Sequence, residues 1–168
     1  MPNPDTYGIY LHIPYCRSKC RYCDFYSAPG TRGVPDEYVT ALLRELSKSS
    51  RRPDTLYFGG GTPALLRPDQ VHRLIKAAAP LPGAEITLEA NPDVVTPENL
   101  AGFAAAGVTR ISFGRCMPYS FTMPSARAWI WVSSIRLRYR NNITGATSPV
   151  YSLEIRLKPA PMGASSTA

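Results

Sequence analysis

A chain of 168 residues and 18.4 kDa is long enough for one domain, or one domain with an appendage. Its 44% hydrophobic content can build a buried core, which excludes general disorder. No apolar run approaches the roughly 18 residues of a membrane span, and the N-terminal MPNPDTYG has neither a basic flank nor an apolar stretch. Neither a span nor a secretory signal is therefore expected, and the chain reads as cytoplasmic with reduced thiols.

The charge is unevenly placed. Residues 1–114 carry 12 Lys/Arg and 11 Asp/Glu, whereas residues 115–168 carry 7 Lys/Arg and one acid, Glu154. The net charge of +7 thus belongs to the last third of the chain, which suggests two kinds of sequence joined together.

In chain order, Tyr7 to Ile13 reads as a strand ending at Pro14, followed by a cysteine-rich loop. Asp36 is expected to cap a helix in which Tyr38, Leu42, Leu43 and Leu46 recur at helical spacing. Thr55 to Phe58 is a second strand, stopped by Gly59, Gly60 and Gly61. Asp69 to Ala79 is a second helix, with Val71, Leu74 and Ile75 on its buried face. Glu85 to Glu89 is a third strand, closed by Asn91 and Pro92. Thr96 as N-cap and Pro97 behind it open a third helix that Gly107 ends, and Val108 to Phe113 is a fourth strand. The order βαβαβαβ calls for an α/β fold with parallel strands.

After Gly114 no amphipathic helix follows. Ile135, Leu137 and Tyr139 alternate with Arg136, Arg138 and Arg140, and Leu153, Ile155 and Leu157 alternate with Glu154, Arg156 and Lys158. These two stretches suit a hairpin across residues 141–149.

Cys16, Cys20 and Cys23 form C-x3-C-x2-C in the loop after the first strand. Three thiolates within eight residues can wrap one face of a cubic iron–sulfur cluster and leave its fourth iron open. A zinc site completed by His12, or three structural thiols, fits the cysteines alone as well. Gly59, Gly60 and Gly61 would let backbone amides approach a ligand closely, and the Thr62 hydroxyl would add a hydrogen bond. Glu89 ends the third strand and can accept from a ligand amine or hydroxyl; alone it would equally be a solvated loop-edge carboxylate. All three elements fall at strand C-terminal ends, where βα barrels build their sites.

Together, Tyr10-Leu-His-Ile-Pro-Tyr-Cys16, Cys20-Arg-Tyr-Cys23-Asp-Phe25, Gly59-Gly-Gly-Thr-Pro63 and Glu89-Ala-Asn-Pro92 resemble the radical S-adenosylmethionine (SAM) proteins of the oxygen-independent coproporphyrinogen III oxidase family. The resemblance covers about residues 7–114. It implies an incomplete radical SAM partial TIM barrel of about three and a half βα units, with an atypical C-terminal tail. By that resemblance, Cys16, Cys20 and Cys23 would ligate a [4Fe–4S] cluster whose open iron SAM chelates, with SAM cleaved to a 5′-deoxyadenosyl radical. Tyr10, Gly60 and Glu89 match positions that contact this SAM. Gly61, Thr62 and Tyr22 match positions associated with a second SAM in the true oxidase. Oxidases carry a further cysteine two residues after the third, where this chain has Phe25. That resembles the haem-chaperone branch (HemW-type), which implies haem or porphyrin as ligand and haem-accepting apoproteins as partners. The oxygen-independent coproporphyrinogen III oxidase itself is the alternative.

Family members continue with Gly-Val-Gln after the fourth strand, but this chain reads Gly114-Arg115-Cys116. Cys116 is taken as an incidental thiol rather than a fourth ligand. Residues 1–114 are thus expected to be the N-terminal part of the radical SAM core, and residues 115–168 a non-family tail from a frameshifted or misjoined reading frame. Such a break would leave the fourth strand as an unpaired edge, which the tail could cover as an improvised hairpin although nothing in its sequence requires it. A basic nucleic-acid-binding module built on Arg136, Arg138, Arg140, Trp129 and Trp131 is the remote alternative; no nucleic-acid partner is expected, and salt-dependent binding of single-stranded DNA tests it.

Overall fold

The computed structural model describes residues 6–18, 23, 26–28 and 30–113, together with the backbone of two strands in the C-terminal third. Four strands, β1 (Gly8–Ile13), β2 (Thr55–Gly60), β3 (Glu85–Ala90) and β4 (Arg110–Phe113), alternate with three helices. These are α1 (Asp36–Leu46), α2 (Pro68–Ala78) and α3 (Pro97–Ala106), with a single 3-10 turn at Pro63–Leu65 after β2. The strands pair in parallel in the order β1-β2-β3-β4, the α/β arrangement that three and a half βα units require.

Strand alternation sorts the side chains onto two faces. Leu11, Ile13, Leu56, Phe58, Ile86, Leu88, Ile111 and Phe113 are buried in one cluster with Val39, Leu46, Val71, Leu74, Ile75, Phe103 and Ala106 of the helices. Burying each large apolar side chain in this way contributes about 1.5–3 kcal/mol. The intervening residues, Tyr10, His12, Tyr57, Thr87, Glu89, Arg110 and Ser112, share the opposite face, which is therefore polar and aromatic. The site is built on that second face.

The helix ends follow local chemistry, with one correction. Thr96 caps α3 as expected: its Oγ1 accepts from the Asn99 N–H at 3.3 Å and its own N–H donates to Asn99 Oδ1 at 2.8 Å. Gly107 closes the helix at φ 109°, a conformation that favours glycine. Thr96→Ala should lower the unfolding free energy by about 1 kcal/mol, read as a shift of the urea midpoint at unchanged slope.

Asp36, expected as the N-cap of α1, is instead its first residue, because Pro35 occupies the cap position. Its carboxylate accepts from buried Gln70 at 3.0 Å and from Arg67 at 3.0 Å. Those bonds, Gln70 first, hold the carboxyl below its ordinary range. Gln70 also donates to Val34 O at 3.0 Å, so one buried amide ties the end of the cysteine-bearing loop to α2.

Two further strands, β5 (Val132–Arg140) and β6 (Val150–Leu157), contain the alternating stretches of the tail up to Leu157, Lys158 lying outside the described residues, and pair antiparallel with each other. β6 also pairs antiparallel with β4, setting Arg110 opposite Arg156 and Phe113 opposite Leu153. The expected unpaired edge at β4 is thus covered by the tail hairpin. A strand with free N–H and C=O groups is a template for another strand, and the tail supplies one. Residues 114–131 and 141–149, with Cys116, Trp129 and Trp131, lie outside the described residues.

Candidate functional site

The cysteine loop leaves the sheet at the C-terminal end of β1 and is pinned where it returns. Cys16 N–H donates to Ala28 O at 3.0 Å, Ala28 N–H to Pro14 O at 2.6 Å, and Thr31 N–H to Cys16 O at 3.2 Å. Arg17 reaches across to the β3–α3 connection, donating to Asp93 O at 3.0 Å. Its guanidinium thereby ties two loops together. Cys16 and Cys23 are free thiols, Cys16 buried and Cys23 half-buried. Cys20, Tyr22 and Phe25 lie outside the described residues; among the described residues no group of three metal-ligating side chains is assembled.

The glycine segment lies beside this loop. The amides of Gly60, Gly61 and Thr62 are hydrogen-bonded within the protein. Gly60 N–H donates to Glu89 Oε2 at 3.3 Å, Gly61 N–H to Ile13 O at 2.8 Å, and Thr62 N–H to Tyr15 O at 2.7 Å. The glycines matter for what they lack. A Cβ on Gly59 would sit 2.7 Å from the Tyr10 ring, and one on Gly60, at φ 115°, would sit 2.8 Å from His12. A Cβ on Gly61 would meet Tyr15 O at 2.6 Å and Cys16 Sγ at 2.9 Å.

Glu89 is the carboxylate of the site. Tyr57 O–H donates to its Oε1 at 2.6 Å, a short charge-assisted bond. Burial, then the hydrogen bond and charge of Glu89, push the Tyr57 phenol far above its ordinary range near 10. The Tyr57 ring stacks on Tyr10 with centroids 6.0 Å apart, and Tyr10 hydrogen-bonds His12 Nδ1 at 3.2 Å. Tyr10 nevertheless leaves 55% of its surface exposed, the largest fraction in this cluster. Burial of its remainder and the Glu89 charge raise its phenol as well.

Thr62 is only 1% exposed. Its hydroxyl donates to Cys16 Sγ at 3.5 Å and accepts from Asn91 Nδ2 at 3.2 Å. Gly60, Gly61, Thr62, Glu89 and Cys16 are thus linked by contacts at the C-terminal ends of three adjacent strands, and Tyr10, in the middle of β1, joins them through Tyr57. Sequence reasoning missed Tyr57 and gave Asn91 no role. Strand alternation was the available signal for Tyr57, since it stands opposite in phase to the buried Leu56 and Phe58.

The donor set suits a thiolate-bound cluster. Cys16 Sγ has a hydrogen-bond donor in Thr62 and, close beside it, a glycine with no Cβ, Gly61. Three cysteines at this spacing supply soft ligands and leave one coordination position open.

The sequence model described as the Radical SAM superfamily matches residues 10–115. "Heme chaperone HemW" of Mycobacterium tuberculosis (strain CDC 1551 / Oshkosh) is 40% identical over 120 residues, covering 64% of this chain and 31% of that protein. "Heme chaperone HemW" of Escherichia coli (strain K12) is 42% identical over 117 residues, with the same two shares. "Radical S-adenosyl methionine domain-containing protein 1, mitochondrial" of Bos taurus is 40% identical over 123 residues, covering 67% and 28%. The chain therefore spans about a third of the length of the curated relatives it matches. Among solved structures, coproporphyrinogen III oxidase (HemN) from Escherichia coli, a Radical SAM enzyme, superposes with a TM-score of 0.55 at 31% identity, covering 62% of this chain and 26% of that one. Its four parallel strands and three helices form part of the radical SAM fold, and with the match running through most of its length this chain belongs to the radical SAM superfamily.

Proposed function

We propose that this chain carries the cluster-binding and SAM-binding part of a haem-chaperone-type radical SAM protein. Cys16, Cys20 and Cys23 are the ligands of a [4Fe–4S] cluster. Tyr10, Gly60 and Glu89 contact SAM, and Gly61, Thr62 and Tyr22 border a second SAM position. The observation that carries this reading is the Glu89 carboxylate, fixed by Tyr57 and Gly60 on the polar face of the sheet. It is ready to accept from a ligand ammonium, and Tyr10 beside it offers an exposed ring. When bound, the cluster and SAM supply one-electron reductive chemistry; the protein positions them and excludes water.

Haem or a porphyrin is the proposed cargo, and apoproteins that accept haem are the proposed partners. The relatives named as heme chaperones at 40% and 42% identity support this, as does Phe25 in place of a further cysteine. A reducing cytoplasm suits thiolate ligands and is the compartment we assign. A coproporphyrinogen III oxidase is the second reading, favoured by the solved neighbour at 31% identity; SAM-dependent decarboxylation of coproporphyrinogen separates the two, and none is expected here. The family part ends at residue 114 in this reading, supported by a family match that stops at 115. Residues 115–168 are read as sequence from a shifted or misjoined frame, which sequencing of the coding DNA from independent isolates tests.

The experiment is anaerobic reconstitution with iron and sulfide, then EPR of the reduced protein with and without SAM. A cubane signal that shifts with SAM and is lost in Cys20→Ala is the expected result. A protein that takes up no cluster, or one indifferent to SAM, would overturn the reading.

A further inference from the structure

We propose that the Thr62 hydroxyl, aimed by Asn91, donates a hydrogen bond to the Cys16 thiolate and so raises the reduction potential of the cluster that Cys16 holds. The proposal rests on the reading of Cys16 as a cluster ligand and assigns Thr62 a positioning and tuning role toward it.

The direction of the bond follows from counting donors. A threonine hydroxyl has one proton and two lone pairs. Asn91 Nδ2 donates to Thr62 Oγ1 at 3.2 Å, so the oxygen acts as acceptor on that side. Its single proton is then available to Cys16 Sγ at 3.5 Å. A cysteine bound as thiolate carries no proton and can only accept. Donor, acceptor and orienting amide come from three separate strand ends, and the backbone holds each in place. Thr62 N–H is bonded to Tyr15 O at 2.7 Å, next to Cys16, and Gly61 N–H to Ile13 O at 2.8 Å.

The environment makes the bond effective. With 1% of its surface exposed, Thr62 has almost no access to competing water, and a hydrogen bond in a low-dielectric interior is electrostatically stronger. Reduction adds an electron to a cluster that is already anionic with its thiolates. A donor on a ligand sulfur stabilises the more negative state, which moves the potential upward. The buried hydroxyl therefore favours acceptance of an electron by the cluster.

The test is an anaerobic redox titration followed by EPR, without SAM, on the full chain and its Thr62→Val and Thr62→Ser variants. Thr62→Val keeps the shape and removes the donor; its midpoint should move to more negative potential, while Thr62→Ser restores the original value. A loaded Thr62→Val protein whose midpoint equals that of the unsubstituted chain overturns the proposal and leaves the cluster assignment standing. No cluster in the unsubstituted chain overturns both. Should Thr62→Val take up no iron, Thr62→Ala against Thr62→Ser makes the same comparison. If both Val and Ala variants stay iron-free while Ser loads, the hydroxyl serves assembly and the proposal fails.

Discussion

Glu89→Gln should weaken SAM binding by about 10- to 100-fold while leaving the fold and the cluster in place. The estimate comes from one hydrogen bond to a charged group, roughly 1.5–3 kcal/mol, at about 1.4 kcal/mol per tenfold in affinity. The amide matches the carboxylate in shape. Tyr57 O–H can rotate to accept from it where it previously donated, so the neighbours of Glu89 keep their partners. The negative charge and one acceptor oxygen are lost. Calorimetric titration of SAM into the reconstituted variant measures the effect. Unchanged affinity would mean that the carboxylate serves Tyr57 alone and that Glu89 is not a ligand contact.

The same substitution has a consequence at alkaline pH. Burial and Glu89 hold the Tyr57 phenol protonated beyond its ordinary range near 10. A group whose pKa is raised on folding contributes stability that is complete below the unfolded value and is lost as pH rises through the folded one. Stability conferred through Tyr57 is therefore intact at neutral pH and declines only above about pH 10. Removing the Glu89 charge should lower the phenol's pKa, so ultraviolet titration should show one tyrosine ionising earlier in Glu89→Gln.

Gly61→Ala is expected to lose about 1–3 kcal/mol of stability, the usual cost of overpacking, and most of its capacity to take up iron. A methyl there meets Tyr15 O at 2.6 Å and Cys16 Sγ at 2.9 Å. Neither neighbour yields easily. Tyr15 O is held by Thr62 N–H, Gly61 N–H is held by Ile13 O, and Cys16 is fixed through both its N–H and its carbonyl. The φ of Gly61 lies outside the left-handed region, so the penalty is steric rather than conformational. Gly33→Ala is the control, because a Cβ there comes no closer than 3.9 Å to Leu65 O. Chemical denaturation and iron-to-protein ratios measured on both variants check the prediction; equal values for the two would show that the space beside Cys16 is not needed.

Much of the framework was legible in short windows. Val71, Leu74 and Ile75 at helical spacing marked the buried face of α2, and all three are in the core. Thr96, Pro97 and Gly107 marked both ends of α3, because capping depends on residues within one turn of each other. Asp36 misled because an acidic residue before an apolar helix suits both the cap and the first turn. Its actual position follows from Pro35 and from partners at the N-cap and in the first turn of α2, 31 and 34 residues away. The covering of β4 by β6 was not determined by the tail's alternation, which shows that a strand can form but not which edge it joins.

The βαβ order, the spacing of the cysteines and the positions of glycine are legible in the sequence, since each depends on nearby residues and backbone chemistry. The tertiary structure alone decided which polar groups meet. Glu89 joins Tyr57 across 32 residues, Asn91 joins Thr62 across 29, and Thr62 joins Cys16 across 46. Strand alternation limits each side chain to one face of the sheet, but the register of neighbouring strands sets which residues stand side by side. Parallel pairing places Leu56 beside Ile86 and Tyr57 beside Thr87. That register, fixed by packing the apolar face against three helices, brings the strand C-termini together and makes separate motifs into one site.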